Sequence, residues 1–417
     1  MKLKREDIDL TAPAGSFDSL IAAIRGGADS VYFGLGKLNM RARSSYNFNQ
    51  NDLEKIKDIC NKHKVKAYLA LNTIVYDSEI PRIREIISLA KERGIDAIIA
   101  SDLAAIDYAY SIGLNVHIST QVNISNIESL KFFSRYADVV VLARELDLNQ
   151  ISEIAKSVIM YNIKGPSGEI IKLELFVHGA LCMSISGKCY LSLHEHNFSA
   201  NRGECLQDCR RAYTVKEKET GFELDIDNEY IMSPKDLYTI HFIDKILESG
   251  VSVLKIEGRA RPPEYVKTVT ECYNEALNSY LEGTYSRDKI ICWKKKLSTV
   301  FNRGFWDGYY LGQKLGEWSD MYGSKATKRK IFIGKGMNYF DKIKVAEFTC
   351  EANTLNTGDE ILITGPTTGV IQTTVKEIRV NLKNVSQTIQ GERFSIPVDQ
   401  IVRRSDKLFK IVDSEKL

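Results

Sequence analysis

LTAPAGSFDSLIAAIRGGADSVYFGL, residues 10–35, reads as strand, helix and strand in succession. The apolar run Ile8–Thr11 predicts a strand that gives way to the special residues Ala12-Pro13-Ala14-Gly15-Ser16. Phe17–Arg25 then repeats apolar residues at three- and four-residue steps, the period of an amphipathic helix, with Ser16 placed to cap it. Ser30–Phe33 is the next apolar run. The alternation continues outward. Further strands are expected at Val65–Leu71, Ala97–Ala100, Asn115–Ile118, Val139–Leu142, Leu173–Val177 and Val251–Ile256. Helices are expected at Asp52–His63, Ile80–Arg93, Asn126–Tyr136 and Ile151–Val158, and Gly94, Gly113 and Gly250 are placed as stops before later strands. Eight such units over about 250 residues predict an α/β fold, a parallel (β/α)8 TIM-type barrel, whereas an open doubly wound sheet normally holds fewer.

Every apolar run ends in polar or special residues, and in a barrel those ends share the rim where sites are built. This singles out Asn72 after strand three, Gln121 after strand five, Arg144 and Glu145 after strand six, His178 after strand seven and Arg259 after strand eight. His178 reads equally well as a rim group or as a satisfied core histidine. Ser16 and Asp102 fit helix caps, and the amides around Gly15 and Ser16 could receive a phosphate or carboxylate.

The densest chemistry follows strand seven. ELFVHGALCMSISGKCYLSLHEHNFSANRGECLQDC, residues 174–209, holds four of the eight cysteines, Cys182, Cys189, Cys205 and Cys209, spaced C-x6-C-x15-C-x3-C. Four thiolates complete a tetrahedral zinc site or an iron–sulfur cluster. Structural zinc usually shows two close pairs, and only Cys205 and Cys209 make one, so a cluster is the preferred expectation and zinc the lesser one. Disulfides need an oxidising compartment, and unlinked thiols would be small core residues. Cys60, Cys272, Cys292 and Cys350 read as plain thiols.

At 417 residues and 44% hydrophobic content the chain can bury a large core, and two domains are the natural expectation. The start MKLKREDIDL has no apolar stretch behind its lysines and no run reaches membrane length, which predicts a cytoplasmic protein without a membrane partner. A net charge of +3 is too small for a generic polyanion-binding surface. Residues 1–325 are assigned to the barrel, its cysteine insert (about 180–245) and a helical extension. Within the insert Tyr213–Ile231 alternates like a hairpin, and Ser233-Pro234-Lys235-Asp236-Leu237 reads as a helix start. Long helices follow at Pro263–Leu281 and Asp288–Val300, then the aromatic loop NRGFWDGYYLG, residues 302–312. Residues 326–417 turn to short strands, Lys330–Ile333, Ile343–Phe348, Glu360–Ile363, Gly369–Ile378, Arg393–Ile396 and Leu408–Ile411, and predict a small all-β barrel. Residues 328–417 hold 15 Lys and Arg against 11 Asp and Glu, more than the chain's whole net charge. That surface, with Arg403 and Arg404, is either simply solvated or faces RNA.

The zincin HExxH, the nucleophile elbow G-x-S-x-G, the Walker loop and the dinucleotide fingerprint are all absent, and His194-Glu195-His196 lacks zincin spacing. ELFVHGALCMSISGKCYLS instead resembles the signature of the collagenase-like peptidase family thirty-two, of unknown catalytic type. LTAPAGSFDSLIAAIRGGADSVYFGL, STQVNISN, KIEGRARPPEYV and FNRGF resemble further blocks of it, over nearly the whole chain. Within that family the likeness is read as nearest the tRNA hydroxylation protein P group. That resemblance implies oxygen-independent tRNA hydroxylation to 5-hydroxyuridine at the wobble position, with prephenate as oxygen donor. It implies a [4Fe–4S] cluster on Cys182, Cys189 and Cys205, with Cys209 the least certain ligand, and a related family subunit as a heterodimer partner. Prephenate is a dianion, and Arg41, Arg43, Arg144 and Arg259 are the cations near the rim. The competing expectations are a collagenase-like peptidase and a non-catalytic RNA-binding accessory subunit.

Overall fold

Apolar residues on both faces of a strand require cover on both faces, and the early strands have it. In the computed structural model, which describes residues 3–43, 47–214 and 230–414, β1 (Asp9–Pro13) is buried after its first residue. α1 (Phe17–Arg25) begins where the Ser16 hydroxyl accepts the Ser19 amide at 3.2 Å. β2 (Ser30–Gly34), α2 (Asp52–His63), β3 (Lys66–Leu71), α3 (Ile80–Glu92), β4 (Ala97–Ala100), α4 (Leu103–Ser111) and β5 (Val116–Ile118) continue the alternation. Asp102 caps α4 through the Ala104 amide at 2.9 Å. α5 (Ile127–Phe133), β6 (Val139–Val141), α6 (Leu148–Met160) and β7 (Lys172–Gly179) lead to the insert with α7 (Leu191–His196) and β8 (Asp236–Tyr238). α8 (Ile243–Glu248) and β9 (Val253–Ile256) complete the ring.

β1 to β7 pair in sequence, all parallel, and β9 pairs in parallel with both β1 and β7. That double pairing closes an eight-stranded barrel wrapped by helices, as the periodicity predicts. The β7–β9 register shifts between Phe176 and His178, a bulge that turns the end of β7 out of the ring. β8 pairs antiparallel with that diverted end, through His178 with Tyr238 and Gly179 with Leu237. Ser233–Leu237 is therefore not a helix start. Its last two residues open β8, and the helix begins only at Ile243. The hairpin expected over Tyr213–Ile231 falls mostly on residues 215–229, outside the described residues.

α9 (Pro263–Leu281) packs across α1, α10 (Arg287–Ser298) follows, and β10 (Phe305–Trp306) adds to β8. The remaining strands form one antiparallel sheet. They are β11 (Lys328–Phe340), β12 (Val345–Cys350), β13 (Glu360–Gly365), β14 (Gly369–Thr374), β15 (Ile378–Val380), β16 (Lys383–Val385), β17 (Arg393–Pro397) and β18 (Lys407–Asp413). Its order is β14-β13-β18-β11-β12-β17-β15-β16, with no pairing of the two end strands. The expected C-terminal barrel is thus an open sheet. The physical reason lies at the β14 edge, which α1 covers. Arg25 donates to the Thr368 carbonyl at 2.7 Å, and Gly369 lies so close to Ile21 that a Cβ would clash. An edge covered by a helix needs no strand partner. Leu362 and Val370 belong to the barrel's apolar core, while Ile333, Phe348, Phe394 and Leu408 anchor the sheet's own.

Gly179 ends β7 at φ 105°, and a Cβ there would strike the Glu257 carbonyl oxygen. Gly179→Ala is therefore expected to cost about 2 kcal/mol or more, read as a lowered denaturation midpoint at unchanged m.

Candidate functional site at the barrel mouth

Residues two apart on a strand share a face, so each barrel strand sends alternate side chains inward. At the upper end these are Tyr32, Ala70, Ile99, Ser119, Val141, Phe176, Lys255 and Glu257, which line a cavity of about 560 Å³. The loops after the strands add Met40, Arg41, Asn72, Gln121, Arg144, Cys182 and Arg259. Five of the rim residues singled out from the sequence, Arg41, Asn72, Gln121, Arg144 and Arg259, thus meet with Cys182 in one place.

Charge organises the mouth. Arg41 donates through Nε at 3.0 Å and Nη2 at 2.8 Å to a single carboxylate oxygen of Glu257. The Tyr32 hydroxyl donates to the Ile256 carbonyl at 2.9 Å and lies 3.3 Å from the other Glu257 oxygen. Burial pushes the Glu257 pKa up, yet the charges of Arg41, Arg259 and Arg144 outweigh it and hold the carboxyl at about 2. The same carboxylate, more than burial opposes, raises the Arg41 pKa, and the Cys182 sulfur adds to the rise. Lower down, Lys255 pairs with Glu174 at 2.7 Å, both nearly sealed from solvent, with its ammonium 4.6 Å from the centre of the Tyr32 ring. His117 Nδ1 lies 3.8 Å from the second Glu174 oxygen. Asn72 donates to Gln121 at 3.1 Å, and the Ser119 hydroxyl donates to the same Gln121 oxygen.

Arg144 stacks on the Phe176 ring at 4.0 Å and donates from Nη1 to the Ala180 carbonyl at 3.2 Å. Arg259 donates from Nη1 to Asn39 Oδ1 at 2.9 Å. Glu145 lines an adjoining cavity with Arg144, Cys182 and Met183. His178 stands elsewhere. It is buried among Tyr265, Tyr273 and Phe305, and burial, aided by Arg261, depresses its pKa to about 3. Arg43 covers the Phe198 ring at 4.0 Å, and Arg403 and Arg404 are exposed on the turn before β18, in the C-terminal sheet.

Lys255 was not singled out from the sequence, and Glu257 was read only as part of the polar Glu257-Gly258-Arg259 end of the last strand. A signal was there, since VSVLKIEG sets a lysine inside an otherwise apolar strand, where a charge needs a buried partner. That partner, Glu174, comes from β7 and is invisible to local reading.

The insert is held by polar staples. Arg210 donates to the Leu181 carbonyl at 2.6 Å and the Pro234 carbonyl at 2.7 Å, and Ser192 donates to Asp208 at 2.8 Å. Arg202 pairs with Glu79 beyond β3. The four insert cysteines line a second cavity beside the first, which Cys182 joins to it. They do not form the expected centre. Among the described residues no group of three or more His, Cys, Asp or Glu is disposed to hold a metal ion. Burial raises the Cys205 pKa and pushes Cys209 up to about 11. This donor set, as disposed among the described residues, does not fit a [4Fe–4S] cluster or zinc.

The model of peptidase family U32 matches residues 15–320. The chain belongs to peptidase family U32. Among U32 relatives, a collagenase of Porphyromonas gingivalis is 58% identical over 410 residues, covering 98% of this chain and 99% of its own length. An uncharacterized protease of Methanocaldococcus jannaschii is 39% identical over 413 residues, with 98% and 99% covered. The tRNA hydroxylation protein P1 of Bacillus subtilis is 29% identical over 366 residues, 86% of this chain and 83% of its own. The expected nearness to the tRNA hydroxylation group is corrected by this order, since the collagenase shares twice the identity. With that likeness and the cluster both withdrawn, the expectation of a cluster-dependent tRNA hydroxylase falls. Among the described residues no helix is long and apolar enough to cross a membrane.

The low Glu257 pKa has a consequence for acid stability. Its ordinary value is 4.5, so the stabilisation is full above that pH and is lost as pH falls toward about 2. Glu257→Gln is expected to lower stability at pH 7 by about 3 kcal/mol and to flatten the acid limb between those values. Denaturant titrations at pH 7, 4 and 3 measure both effects.

Proposed function

We propose that this chain is a collagenase-like peptidase whose cleft is the barrel mouth. The observation that carries the reading is end-to-end likeness, at 58% identity, to a protein named a collagenase. The residues offer a nucleophile that suits it. Cys182 is exposed and lines three adjoining cavities, so a peptide that enters the mouth meets its sulfur. Arg41 supplies a positive charge close to that sulfur. Attack on a peptide carbonyl carbon forms a thioester and breaks the C–N bond, the amine leaving with a proton. Water then hydrolyses the thioester and restores the thiol. His178 has no place in this scheme, being sealed away and neutral.

Homogeneous protein is expected to cleave gelatin or a quenched-fluorescence peptide and to be inactivated by a thiol alkylator. Cys182→Ala should lower kcat/KM by about 100-fold or more. Cys292→Ala, exposed on α10, should leave it unchanged. Full activity in Cys182→Ala would remove the thiol mechanism, and absence of any cleavage would remove the peptidase reading.

As a second proposal, tRNA is a partner of the C-terminal sheet. The observation favouring it is the exposed run Arg403, Arg404 and Lys407, two arginines and a lysine around one turn. Arg403→Ala with Arg404→Ala is expected to weaken tRNA filter binding and reduce its salt slope by about one to two. An unchanged slope leaves that surface merely solvated.

A further inference from the structure

Four cations and two carboxylates line or underlie the mouth, and the pairing among them is uneven. Glu257 engages Arg41, and Glu174 engages Lys255. Arg144 and Arg259 are left with no carboxylate in ion-pair contact among the described residues. Each also has an Nε that is buried and without a hydrogen-bond partner. Arg259 is only 4% exposed, and burial draws its pKa down despite the opposing pull of Tyr32 and Glu257. A buried guanidinium with an open donor is costly unless an anion completes it. The buried Arg259 and the half-buried Arg144 line the same cavity.

The cavity fixes what kind of anion suits it. Its other walls include Ala70, Ile99, Val141 and Phe176, so the ligand presents apolar matter beside its charge. A guanidinium matches a carboxylate in two parallel hydrogen bonds. Peptide backbone is neutral along its length and carries a carboxylate at its end. We propose that Arg144 and Arg259 bind the free C-terminal carboxylate of a peptide, whose last side chain occupies the apolar wall. The protein then trims chains from that end instead of cutting within them. This rests on the peptidase reading for the reaction, but not for the binding.

Binding is therefore the test. Calorimetry with the full chain compares the tetrapeptide Ala-Leu-Pro-Val as free acid, as its C-terminal amide, and as an amide ending in Asp. The free acid is expected to bind at least about tenfold more tightly than either amide. Arg144→Gln should shrink that difference to less than about threefold, and Arg144→Lys should retain part of it. Thermal melting checks that each variant is folded. Should Arg144→Gln fail to fold, the three peptides on unaltered protein decide alone. Equal affinity for acid and amide overturns the proposal, as does no binding by any of the three. Tight binding of the amide ending in Asp assigns the subsite to an acidic side chain and overturns the C-terminal assignment. Acid preference without any cleavage keeps the subsite and sinks the peptidase reading. Cleavage without acid preference does the reverse.

Discussion

The Glu257 carboxylate is the point on which the mouth depends. Its residue directly follows β9, and its backbone amide donates to the His178 carbonyl at 2.8 Å, beside the β7–β9 bulge. Its own carbonyl accepts the Tyr265 hydroxyl from α9 at 2.9 Å. Its side chain holds Arg41 and touches Tyr32. One residue thus ties β2, the loop after it, β7, β9 and α9. The charges around it outweigh the cost of burying it, and this is why the carboxylate survives so deep. Without it, three guanidinium groups would share a cavity with nothing to separate them.

That arrangement explains the position of the insert. The bulge diverts the end of β7, β8 pairs with the diverted end, and the cysteine-bearing residues that follow β7 lie at the rim. Arg210 and Arg202 then fasten it with hydrogen bonds to carbonyl and carboxylate oxygens. Cys182 follows directly from β7 and falls beside Arg41. The other three cysteines line the neighbouring cavity, partly buried as thiols. Close spacing along a chain brings side chains to one region, whereas coordination demands that they converge on one point. The insert meets the first condition and not the second.

The two sheets meet through a helix, which settles how the C-terminal sheet ends. Alternating burial along β12 and β17 gives that sheet one apolar face and a core of its own. Its β14 edge lies on α1, and Gly369 permits the approach. A sheet whose edge is occupied in this way has no need to curl back on itself.

The sequence by itself determined the order and period of the elements. Phe17–Arg25, Asp52–His63, Ala97–Ala100 and Pro263–Leu281 were legible to the residue, because helix and strand periods are local and their stops are glycines or caps. It also placed Asn72, Gln121, Arg144 and Arg259 on one rim, since strand polarity in a parallel barrel puts all C-terminal ends together. Only the tertiary structure decided which of them touch. It paired Lys255 with Glu174 across β9 and β7, took His178 into the core, and left Arg144 and Arg259 without a carboxylate in contact among the described residues. It turned Asp236–Tyr238 into a strand between β7 and β10 and left the C-terminal sheet open. These outcomes depend on contacts between residues far apart in the chain, where burial and charge compensation outweigh local preference.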